Sequence, residues 1–97
     1  MAMTPEKKVK NQVMKILKEA GAYSFYASTA GYGKSGVPDI ICCYRGHFLA
    51  IECKAGKNKP TTLQTMNIDQ INNCGGTAII IHEGNIDTLK PLLQSIF

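Results

Sequence analysis

The chain has 97 residues, 44% of them hydrophobic, with nine glycines, four prolines and a net charge of +4. That length suits one domain, 1–97, with one modest core, and the composition excludes a disordered or low-complexity chain. No apolar stretch approaches the ~20 residues of a membrane span, and the lysine-rich start MAMTPEKKVK lacks the apolar segment of a secretory signal. A cytoplasmic protein with no membrane partner is therefore predicted.

Thr4-Pro5 reads as an N-cap and first helical residue, and Gly21 as the stop. Between them Val9, Val13, Ile16, Leu17 and Ala20 form one helical stripe, and Lys7, Lys8, Lys10, Lys15 and Lys18 cover the remaining faces. Residues 22–28 (AYSFYAS) alternate and are aromatic-rich, so a strand is expected; TAGYGKSG (29–36), with three glycines, is a loop. Two apolar runs, 39–44 and 47–54, flank Arg45-Gly46 and read as a tight hairpin. A basic loop, AGKNKPTT, leads to a second helix over 62–74, capped by Thr61 or Thr62 and stopped by Gly75-Gly76. TAIIIH (77–82) is a buried strand, and the tail is helical with Pro91 in an early turn or dividing it in two. The fold class is α/β, a mixed sheet flanked by helices in the order αβββαβα.

Cys42, Cys43, Cys53 and Cys74 have no CxxC spacing, which argues against a zinc site. Three of them lie in strand-like runs, where a free cysteine behaves as a small hydrophobe and suits a reducing compartment.

The charges in the hairpin carry the chemistry. If its turn is Arg45-Gly46, Tyr44 faces His47 and Asp39 lies opposite Glu52, with Cβ atoms about 5 Å apart on one face. Lys54 shares that face and Cys53 points to the other. Two opposed carboxylates repel unless a cation joins them, and such oxygen donors suit Mg²⁺ or Mn²⁺. Lys54 could then hold or deprotonate a water, or offset charge on a phosphate. The competing reading is a structural ion pair of Lys54, although one lysine satisfies two acids poorly. Glu6, one turn before Val9, either reaches the same site or simply suits the helix dipole. Gln64, on the stripe of Ile68 and Ile71, is either a site residue or an ordinary surface amide.

Pro38-Asp39, twelve intervening residues and Glu52-Cys53-Lys54 resemble the PD-(D/E)xK nuclease signature. With Gly36-Val37 upstream, Lys59-Pro60-Thr61 downstream and then Gln64, the chain resembles the VRR-Nuc family, notably its short stand-alone phage and bacterial members. The resemblance implies a restriction-endonuclease-like fold and a metal held by Asp39, Glu52 and the Cys53 backbone carbonyl. It further implies that Lys54 positions or activates water, that Glu6 acts through the second shell and that Gln64 supports the site. No small-molecule cofactor is implied, and the setting would be a bacterial or phage-infected cell.

Lys34, Lys57 and Lys59 flank the expected site and could neutralise DNA phosphates, while Tyr32 could stack on an unpaired base. No base-reading motif is visible, so branched DNA recognised by its structure is the expected partner. Such stand-alone nucleases resemble Holliday junction resolvases, which implies a homodimer; the apolar tail LLQSIF could serve an interface or fold into the monomer. The alternative from another class is a non-catalytic DNA-binding module that retains the nuclease fold.

Overall fold

Residues 3–27 and 33–96 of the protein are described in a computed structural model. Helix α1 spans Pro5–Glu19, and the Thr4 hydroxyl accepts a hydrogen bond from the Lys7 backbone N–H. It buries Val9, Val13, Met14 and Leu17, whereas Ala20 is exposed beyond its end, so the apolar stripe runs through Met14 rather than on to Ala20. Gly21 takes a φ of 84°, the left-handed geometry that ends a helix at low cost in glycine.

Strand β1, Tyr23–Tyr26, is shorter than the run of alternating residues suggests. It pairs antiparallel with β2 (Ile40–Tyr44), which pairs antiparallel with β3 (His47–Cys53). The hairpin turn is Arg45-Gly46, with φ of 50° and 79°, the paired positive values of a type I′ turn. That turn sets the expected register, Tyr44 against His47 through Ile40 against Ile51.

Helix α2, Thr62–Asn73, then crosses over to β4 (Thr77–Ile81), which lies parallel to β3. The sheet order is β1-β2-β3-β4. A 3-10 turn at Ile86–Thr88 precedes α3, Leu89–Ser95. Pro91 falls in the first turn of α3, where its missing N–H needs no helical partner, and the helix is not divided.

The sheet is packed on both sides. On one face Val13 and Leu17 of α1 and Leu89 and Leu93 of α3 meet Ile40, Cys42, Leu49, Ile51 and Ile81. On the other, Ile68 of α2 packs on Ala50 and Ala78. Of the tail LLQSIF, Leu93 is buried in this core, and Leu92 and Ile96 pack against it half-buried. Strand β3 is buried from Leu49 to Cys53, and a carboxylate carried there loses most of its hydration.

Candidate active site

Asp39 is brought to the sheet by the segment before it. Gly36 has a φ of 77°, and a Cβ there would lie 2.6 Å from Leu63 Cγ and 2.9 Å from Asn67 Nδ2. The buried Asn67 amide donates to the Ser35 carbonyl at 3.2 Å and to the Leu63 carbonyl at 2.9 Å, tying this segment to α2. Only glycine meets both the backbone and the space requirement at position 36. Pro38 follows, fully buried.

Asp39 sits one residue before β2 and extends its pairing, its carbonyl accepting from the Ala27 N–H at 2.8 Å. The β2–β3 register continued by one residue sets it against Glu52. Its Oδ2 accepts from the Cys53 N–H at 2.9 Å, so the carboxylate is fixed at the end of β3.

Glu52 is only 1% exposed. Its Oε2 lies 3.2 Å from Lys54 Nζ, while its buried Oε1 has no hydrogen-bond partner among the described residues. Burial, then the Asp39 charge, push this carboxyl up to about 7; Lys54 pulls the other way and Glu6 adds to the rise. The lysine therefore answers one carboxylate oxygen and leaves the other orphaned.

Helix α1 contributes a second pair. Lys10 Nζ is 3.6 Å from Glu6 Oε2 and 3.7 Å from Asp39 Oδ1. Partial burial opposes the Lys10 charge, but Asp39 and then Glu6 outweigh it and raise its pKa. The sequence places Lys10 with the lysines that cover the remaining faces of α1; the structure sets its ammonium against Asp39. Its spacing of four residues from Glu6 was the available signal. Next to these residues opens a groove of about 460 Å³ whose walls include Lys7, Asn11 and Tyr26.

Gln64 does not join this group through its amide oxygen. Thr61 N–H donates to Gln64 Oε1 at 2.9 Å, and Gln64 N–H donates to Thr61 Oγ1 at 3.2 Å. This reciprocal capping box satisfies donors at the start of α2, a use its T-x-x-Q spacing allowed. Lys34 donates to Gln70 Oε1 at 3.0 Å and lines a groove with Phe48 and Ile71, so its side chain is tied to α2. Lys57 and Lys59 are exposed in the turn after Lys54, where Gly56 N–H donates to Glu83. Tyr32 lies outside the described residues.

The cysteines are all free; Cys42 and Cys53 are buried, while Cys43 and Cys74 are exposed. Burial pushes the Cys53 thiol up to about 12, with Asp39 and Glu52 adding, so without a metal it stays protonated at neutral pH. Among the described residues no three His, Cys, Asp or Glu side chains gather as a metal cage. Two hard carboxylates with an orphaned buried oxygen nevertheless fit a small divalent cation that also uses main-chain and water oxygens.

The mixed sheet and its flanking helices define a restriction-endonuclease-like α/β protein. A solved VRR_NUC domain superposes with a TM-score of 0.77 at 20% identity, over 92% of this chain and 97% of that one. A second VRR_NUC domain protein gives 0.69 at 24% identity, over 96% and 88%. Archaeoglobus fulgidus Hjc, a Holliday junction resolvase from an archaeal hyperthermophile, gives 0.60 at 19% identity, over 78% and 65%. At these identities the likeness is one of fold. No curated protein matches the chain. The family described as archaeal Holliday junction resolvase (Hjc) matches residues 6–82, from Glu6 to the residue after β4, and the chain belongs to that family.

Proposed function

We propose that the protein is a Mg²⁺- or Mn²⁺-dependent endonuclease that hydrolyses phosphodiester bonds in branched DNA, such as four-way junctions or flaps, as a homodimer. The observation that carries this reading is the orphaned, buried Glu52 Oε1 beside Asp39 and Lys54. A carboxylate so placed costs stability unless a cation answers it. Membership of the resolvase family supports the substrate class, as does the name of the Archaeoglobus relative.

Asp39, Glu52 and the Cys53 carbonyl would hold the cation. When bound, it would neutralise charge on the scissile phosphate and favour ionisation of water at neutral pH. Lys54 orients the attacking water and offsets charge as the P–O3′ bond breaks, leaving a 5′-phosphate and a 3′-hydroxyl. Glu6 acts on this group from α1. Gln64 supports it through the α2 cap, since α2 holds the segment leading to Asp39. Lys34, Lys57 and Lys59 contact the DNA backbone, and Tyr32 stacks on an unpaired base. Two-fold symmetry places two such sites on two strands of a junction.

The test is incubation with a four-way junction, a flap and linear duplex in Mn²⁺, Mg²⁺ or EDTA. Metal-dependent nicking of the branched substrates, lost in Asp39→Ala and Lys54→Ala, is expected. Binding without cleavage under every condition would instead establish a non-catalytic DNA-binding module.

A further inference from the structure

Lys10 is the one residue of the acidic group that the proposed chemistry leaves without a task. Its ammonium bridges two elements, reaching Glu6 on α1 and Asp39 before β2. The two contacts are long, at 3.6 and 3.7 Å, and the Lys10 and Asp39 side chains remain 29% and 23% exposed. Ion pairs of this kind hold weakly and exchange readily.

The choice of oxygen matters. Asp39 Oδ2 is committed to the Cys53 N–H, and Oδ1 is the oxygen that faces Lys10. A cation that takes the Oδ1 oxygen of Asp39 competes with Lys10 for it. The lysine also has somewhere to go, because it lines the groove beside Lys7, Asn11 and Tyr26.

We infer that Lys10 is a built-in placeholder cation, holding Asp39 Oδ1 and Glu6 in the metal-free protein and withdrawing into the groove when a divalent ion enters. It is a positioning residue: it keeps the acids folded inward without metal and sets how tightly metal binds. The inference rests on the metal-site reading above.

The experiment is calorimetric titration of Mn²⁺ into the full chain, with melting curves in EDTA and in Mn²⁺. Lys10→Gln is expected to bind Mn²⁺ about two- to fivefold more tightly than wild type, the scale of one released exposed ion pair. Its melting temperature should fall in EDTA and rise further on adding Mn²⁺. Lys10→Arg should restore wild-type affinity. Lys7→Gln, which removes the same charge from the same groove, should change affinity less than twofold (about the scale of a screened charge). Affinity in Lys10→Gln equal to or weaker than wild type overturns the inference. Asp39→Asn separates the two layers: if wild-type binding does not depend on Asp39, the metal-site reading falls and takes this inference with it. If binding depends on Asp39 but Lys10→Gln leaves it unchanged, only the placeholder role falls.

Discussion

Glu52 concentrates the tension in this molecule, a carboxylate buried in a central strand with one oxygen unanswered. Its folded pKa is raised from 4.5 to about 7, so the folded state binds the extra proton between those values. Its contribution to stability is therefore full below pH 4.5 and is lost as pH rises through 7. The loss is on the order of 3 kcal/mol. Urea denaturation in EDTA should show this decline between pH 5 and 8, and Glu52→Gln should flatten it while abolishing cleavage. Added Mn²⁺ should stabilise the wild type more at pH 8 than at pH 5. At this scale the sequence was partly legible. Asp39, Glu52 and Lys54 could be placed together because a two-residue turn fixes strand register. Lys10 could not, since which flank of a helix meets a sheet edge depends on how the helix lies on it.

The second helix matters as an element because it holds the chain leading to Asp39. Gly36→Ala would force a Cβ against Leu63 and Asn67 at a positive φ. It should cost about 1–3 kcal/mol and lower cleavage by moving Asp39. Gln64→Ala removes half of the capping box and should cost about 1 kcal/mol. If Gln64 serves only as a cap, cleavage by Gln64→Ala at low temperature, where the protein is fully folded, should match wild type. A larger loss of rate there would show direct action at the site. The helices and the hairpin were readable from caps, stops and turn residues. At Gln64 the apolar periodicity and the T-x-x-Q capping spacing occupy the same residues, and the structure shows the cap.

For the whole molecule, the αβββαβα order followed from local patterns, and the right pairing of β2 with β3 came from the turn alone. The parallel docking of β4 on β3 could not be read locally, because a crossover is fixed only when α2 finds its face on Ala50 and Ala78. Of the tail LLQSIF, Leu93 is buried in the monomer, while Leu92 and Ile96 stay half-buried. Light scattering should nonetheless give twice the chain mass of 10.6 kDa, and a four-way junction should be nicked on two symmetric strands. A monomer that nicks one strand would remove the dimer from the proposal.

The most direct test of the metal site is anomalous scattering from crystals soaked in Mn²⁺. A peak bridging the Asp39 and Glu52 carboxylates, within coordination distance of the Cys53 carbonyl, is the expected result. Saturating Mn²⁺ with no peak there, in crystals of protein that cleaves junctions in solution, would contradict the assignment of these residues as the metal site.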